Sequence, residues 1–411
     1  MLSRNRHFSE TSPQAPEAGG TAGGGPAINA TVFHTDHIES VSPVTQVFGR
    51  GQRVTAVIVG YDAPIANEGL GPDRFAVADR NITRVYANDR PVPTETGKDG
   101  ACVVLEMNPD DPAAITSAPG IDRPGQVVVA QTQPIHMVAG GQYEPTDPAL
   151  INTRQLNLIV DEFQQLRFVD AETGLILNYN LFIPGDYDPA RAYPLRTLEQ
   201  GLGAVAFASP RDQARHPAFV LAPQYPVGLA NDAAQISDYP DITVRLIEAL
   251  QTQYNLDVKR LYTTGQSGGA MASITLNIRY PDLFAASLLV AGQWDLSLVA
   301  PLAQDRLWVI VSQDDAKAYP GMNAIMQVLE QNGAGITRMI WDGRSRQEQL
   351  DANVAEMQAA GPNSNVFYAA FAEGTVIPEG ESRAGAAGHV NTWRIAYDIP
   401  AVRDWLMSQS K

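Results

Sequence analysis

The chain has 411 residues, a length that suits two domains better than one, and its 44% hydrophobic and 18% charged residues are proportions of a soluble globular protein. A formal charge of −16 argues against a nucleic-acid-binding face, which is usually basic, and no apolar run reaches the length of a bilayer span. The single cysteine, Cys102, excludes an intramolecular disulfide and a cysteine-built zinc site.

Residues 1 to about 27 are polar and rich in Gly, Pro and Ala, without the apolar stretch of a signal peptide, and read as disordered. An export signal replaced by Met1 is one way such a chain arises, which leaves the compartment open between secreted and not. From 28 to 155 the pattern is short strands and turns. Gln52 to Tyr61 is rich in β-branched residues after the turn-like segment Phe48–Gly51. Strands are also expected over Ile82 to Ala87, closed by the turn Asn88–Pro91, over Ala101 to Met107, which carries Cys102 as a small buried residue, and over Gln126 to Gln131. Repeated short strands with turn signals between them predict an all-β, immunoglobulin-like sandwich.

From 156 to 411 the pattern alternates. Strands are predicted at Leu175–Ile183, Phe219–Ala222, Arg260–Thr264, Ala285–Val290, Leu307–Val311, Ile336–Trp341 and Val366–Phe371. Helical spacing is predicted over Ile242–Tyr254, Gly268–Tyr280, Met322–Gln331, Gln347–Ala359 and Val402–Met407. Strands alternating with helices imply a mostly parallel sheet with helices on both faces.

Chemistry concentrates in the second half. Gly265-Gln266-Ser267-Gly268-Gly269 is a G-x-S-x-G segment between an apolar strand and a helix. A serine at such a sharp turn projects its hydroxyl from the sheet edge, and the helix N-terminus favours developing negative charge there. A serine hydroxyl needs a base. His7, His34, His37 and His136 lie outside this half, and the His34/His37 pair has no further ligands to make a metal site. His216 precedes the serine in the chain. His389 follows the last strand, where an α/β-hydrolase places its base. The acid falls in the loop after Leu307–Val311, at Asp314 or Asp315, where either could instead cap the following helix. The N–H of Gly268 is the candidate oxyanion donor. Gln266 and Trp294, at the same end of the sheet, are candidate substrate contacts, with packing beneath the rim as the alternative for Trp294. No cofactor motif is present, and no metal, membrane or nucleic-acid partner is expected.

The chain resembles the α/β-hydrolase esterases related to polyhydroxybutyrate depolymerases, often labelled predicted peptidases, some of which carry an immunoglobulin-like domain ahead of the catalytic one. The resemblance rests on Tyr179–Pro184, Phe219–Tyr225, Gly265–Gly269, Ser312–Asp315 and Gly388-His389 with Thr392-Trp393. It implies hydrolysis of carboxylic esters, small or polymeric, through an acyl-enzyme on Ser267, with Asp315 as the acid and His389 as the base. A serine peptidase on the same three residues is the alternative reading.

One departure stands out. In the family, the "YPL" segment is followed by an apolar central strand and a loop that supplies a second oxyanion donor. Here Tyr193-Pro-Leu195 runs straight into Arg196–Gly201, which reads as the helix beyond that loop. The expectation is that roughly a dozen residues, a strand plus its loop, are missing near Leu195 and belong to the working enzyme. Without them the chain is a catalytically impaired binding protein, or draws its second donor from the Gln224-Tyr225 loop.

Overall fold

The computed structural model describes residues 37–48, 51–118, 121–147, 149–198, 201–228, 235–380 and 382–411. The segment expected to be disordered, 1 to 27, lies outside these residues, as does His34.

The described residues of the first half form two packed β-sheets and a two-stranded ribbon of Ile135–His136 with Gln142–Tyr143. Ile38–Phe48 and Gly51–Ile65 pair antiparallel, and Gly51–Ile65 also pairs with Gly100–Met107, which pairs in turn with Ile82–Asn88. A smaller sheet joins Phe75–Val77, Val128–Gln131 and Leu150–Ile151. Side chains of one parity, Val57, Val59, Val103 and Leu105, point inward onto Phe75 and Val129. The other parity, Ala56, Ile58 and Val104, is covered by Leu156 and Leu158 from the connection to the second half. Burial on both faces explains why these strands read as continuous apolar runs rather than alternating ones. Cys102 is half-buried on its strand, not fully enclosed.

The second half is one nine-stranded sheet: β1 (Gln164–Val169), β2 (Ile176–Phe182), β3 (Tyr193–Leu198), β4 (Phe219–Gln224), β5 (Leu256–Gln266), β6 (Ala286–Val290), β7 (Leu307–Ser312), β8 (Ile336–Trp341) and β9 (Val366–Phe371). Their spatial order is β1-β2-β4-β3-β5-β6-β7-β9-β8. β2 is antiparallel to both neighbours, and the remaining pairings are parallel. Helices α1 (Gly201–Ala208), α2 (Pro210–Arg215), α3 (Tyr239–Gln253), α4 (Gly268–Arg279), α5 (Ala318–Gln331), α6 (Gln347–Ala360), α7 (Ala387–Tyr397) and α8 (Pro400–Ser408) complete it. α1, α6, α7 and α8 pack on one face, around Tyr262, Leu288 and Trp308. α3, α4 and α5 cover the other, where Ile242, Leu246 and Leu250 present the predicted stripe of α3. The architecture is an α/β-hydrolase preceded by an immunoglobulin-like β-domain. Val47 of that β-domain closes a small apolar cavity against Phe163, Val205 and Ala222 of the hydrolase half.

The expected missing strand is corrected by β3. Tyr193–Leu198 is itself the central strand, with Leu195 opposite Phe219 on one side and Leu261 on the other. The segment from Arg196 is strand, not helix. What concealed it is Arg196, a charged residue where a buried strand is normally apolar. Its guanidinium, fully enclosed, donates to Asp212 Oδ2 at 2.6 Å, Phe207 O at 3.0 Å and His216 O at 3.1 Å. The other oxygen of Asp212 accepts from Arg403 Nε at 2.9 Å. The charge is tolerated because a partner 16 residues away neutralises it, which no local pattern reveals. Only residues 199 and 200 separate β3 from α1, and both lie outside the described residues.

Candidate active site

Ser267 and Asp315 follow the carboxyl ends of β5 and β7, where parallel sheets hold their ligands. β5 ends at Gln266, α4 begins at Gly268, and Ser267 between them has φ 53° and ψ −119°. A non-glycine residue there is strained, and the surroundings hold it in place. The Ser267 N–H donates to Val290 O of the adjacent strand at 2.9 Å, and its carbonyl accepts from Met271 N–H at 3.1 Å. The turn also demands a glycine at 265, since a β-carbon there would lie 2.2 Å from the carbonyl carbon of Gly269. Gly268 has open space around it, so its value is not steric. Its N–H is the first of α4, with no carbonyl one turn back to take it.

His389 lies in the first turn of α7 rather than in a loop before it. Its Nε2 is 2.9 Å from Ser267 Oγ, and its Nδ1 is hydrogen-bonded to Asp315 Oδ2. Asp315 follows β7 and is buried; its Oδ1 accepts from the N–H groups of Lys317, at 3.1 Å, and Ala318, at 2.9 Å. One carboxylate thus caps the start of α5 and meets the imidazole, the two roles that the sequence left as alternatives. Burial pushes the Asp315 pKa up, but the hydrogen bonds from His389 and Ala318 and the charge of His389 outweigh it and hold the group below its ordinary value. Asp314 does not touch the imidazole. Its two oxygens accept from Gly374 N–H at 3.0 and 2.8 Å.

The remaining candidates fall below the rim. Gln266 is buried, and its Oε1 has no partner among the described residues. Trp294 packs with Met271, Ile274 and Met322 in the layer between α4 and α5, the rim-packing alternative. His216 pairs instead with Asp404 of α8 at 2.7 Å. His37 meets Asp62 at 3.4 Å in the β-domain. Two contacts went unseen in the sequence. The Trp393 ring, one turn after His389, stands edge-on to the imidazole with centroids 5.1 Å apart. The hydroxyl of Tyr397, at the end of α7, lies 3.1 Å from Thr264 Oγ1 on β5. The spacing of 389, 393 and 397 would have disclosed the first had a helix been expected over Ala387–Tyr397.

Among the described residues no group of three or more His, Cys, Asp or Glu side chains is placed to hold a metal ion. No helix among them is long and apolar enough to cross a membrane.

Comparison with known proteins agrees with this fold. Residues 40–144 match an esterase Ig-like N-terminal domain, and residues 231–336 match the esterase PHB depolymerase family. The crystal structure of a thermostable esterase superposes with a TM-score of 0.75 and 28% identity, covering 91% of this chain and all of that one. Acetylxylan esterase A of Emericella nidulans is 30% identical over 92 residues; the match spans 18% of this chain and 30% of the length of that curated relative. The chain therefore resembles esterases in both halves: an esterase Ig-like N-terminal domain over 40–144, and the esterase PHB depolymerase family over 231–336 within an α/β-hydrolase fold.

Proposed function

We propose that the protein is a serine carboxylic-ester hydrolase, with a β-domain over 28–155 and a catalytic domain over 156–411. The observation that carries this reading is the 2.9 Å approach of His389 Nε2 to Ser267 Oγ at a strained strand–helix turn. Neutral His389 takes the Ser267 proton as Oγ attacks the ester carbonyl. Asp315 holds the imidazole with Nε2 facing the serine and stabilises the imidazolium. The Gly268 N–H donates to the oxyanion, and His389 returns the proton to the departing alcohol. Water, activated by the same imidazole, then releases the acid from the acyl-enzyme.

Ester substrates are favoured because both the matched family and the two relatives are described as esterases. Gln266 and Trp294 lie beneath the substrate in this reading rather than beside it. The β-domain serves packing, through contacts such as Val47 against α1. Steady-state hydrolysis of p-nitrophenyl acetate by the wild type and by Ser267→Ala tests this reading. Turnover by the wild type that is lost in the variant supports it, and turnover retained by the variant contradicts both the mechanism and the choice of nucleophile.

A further inference from the structure

We infer that Asp314 and Gly388 form a positioning device for His389; the inference rests on His389 being the base. Asp314 ties three segments together at the end of the sheet. Both of its carboxylate oxygens receive the N–H of Gly374, in the loop after β9. The preceding residue adds to the stitch, with Gln313 N–H on Phe371 O and Gln313 Oε1 accepting the Glu373 N–H, each at 2.9 Å. The Gly374 carbonyl is held from the other side by Arg344 Nη2 at 2.8 Å.

Onto this braced peptide the first turn of α7 is pressed without a gap. A β-carbon on Gly388 would fall 2.5 Å from both Cβ and the carbonyl oxygen of Asp314. Glycine at 388 therefore sets how closely the residue before His389 approaches the residue before Asp315. The turn is also fixed from within, by Thr392 Oγ1 donating to Gly388 O at 2.7 Å. The adjacent pair Asp314-Asp315 thus divides the work. Asp315 fixes the imidazole through its ring nitrogen, and Asp314 fixes the backbone that carries it. A displacement of about 1 Å at such a group lowers turnover by about 100-fold, which is the effect expected if the brace is released.

The test compares Asp314→Ala, Asp314→Asn and Gly388→Ala in the full chain. Two readouts are taken: kcat and KM on p-nitrophenyl acetate, and the NMR resonance of the His389 Nδ1 proton, assigned by its loss in His389→Gln. Asp314→Ala and Gly388→Ala are expected to lower kcat by about 10- to 100-fold with KM changed less than about twofold, as for a misplaced base, and to shift or broaden the Nδ1 resonance. Asp314→Asn keeps an acceptor for the Gly374 N–H and is expected to recover most of the loss. Folded variants with wild-type kcat and an unchanged Nδ1 resonance overturn the inference, as does an Asn variant no better than Ala. Should Asp314→Ala fail to fold, Gly388→Ala decides by kcat and the Nδ1 resonance, and an Asp314→Asn variant that loses as much kcat as Gly388→Ala overturns the inference. A wild type that shows the Nδ1 resonance but no ester turnover counts against the proposed activity, and the resonance in the variants still decides the brace.

Discussion

Asp212→Ala should destabilise the hydrolase half more than any surface change. The Asp212 carboxylate, 3% exposed, accepts from Arg196 at 2.6 Å and from Arg403 at 2.9 Å. Its removal leaves two buried guanidinium groups side by side without a counter-charge. Arg196 retains the carbonyls of Phe207 and His216, and Arg403 retains that of Tyr397, so both stay solvated in part. Breaking a buried ion pair from one side costs about 3–5 kcal/mol, a large share of the roughly 5–15 kcal/mol that holds a typical domain folded. At about 2–4 °C per kcal/mol for a unit of this size, the midpoint should fall by about 6–20 °C. All five tryptophans, 294, 308, 341, 393 and 405, lie in the second half, so their fluorescence reports the unfolding of this half alone. The control is Asp404→Ala, whose partners Arg215 and His216 are partly exposed and whose loss should cost about 0–1 kcal/mol. A loss below about 1 kcal/mol for Asp212→Ala, by the same standard, would refute the reasoning that Arg196 is made tolerable in β3 by this carboxylate.

Asp305 has a pKa raised to about 7, by burial first and by the charge of Asp282 second, and its Oδ2 is enclosed without a hydrogen-bond partner among the described residues. Its folded form holds a proton that the unfolded form releases near pH 4, so stability should fall as pH rises through that window and stay low above it. Asp305→Asn should remove this slope and stabilise the protein at pH 8 by about 1–3 kcal/mol, against a ceiling of about 4 set by 1.4 kcal/mol per pKa unit; equal urea midpoints at pH 5 and pH 8 in the wild type would contradict it. Gly265→Ala should abolish turnover and lower the midpoint, because the methyl would meet Gly269 at 2.2 Å; a fully active variant would show that the turn relaxes. Ser267→Ala and His389→Ala should each lower kcat by at least about 1,000-fold, and the double variant no further, since the groups act as a unit; multiplicative losses would argue for independent roles.

How much of this was legible in the sequence follows from which forces are local. Helices α3, α4, α5, α6 and α8 and most strands of the second half declare themselves through a periodic stripe or an apolar run, as α3 and Val366–Phe371 do, whereas α2 and α7 did not. G-x-S-x-G is readable because a strained turn needs Gly265 at a fixed offset from Ser267. β3 was misread because Arg196 is neutralised by Asp212, a carboxylate that also holds Arg403 and meets both only in the fold. The edge strand β1 was missed for the opposite reason: Gln164–Val169 is half polar and largely exposed, so it carries little signal. The choice between Asp314 and Asp315 turned on two adjacent carboxylates whose partners, Gly374 and His389, are 60 and 74 residues away.

Reaction of the full chain with a fluorophosphonate, read by intact mass and by peptide mapping, tests the central claim most directly. A single phosphonyl group per chain is predicted, on the peptide containing Ser267, slowed by added ester and absent in Ser267→Ala. Ester turnover by a chain that takes up no label, or label on another residue with Ser267 unmodified, would contradict it.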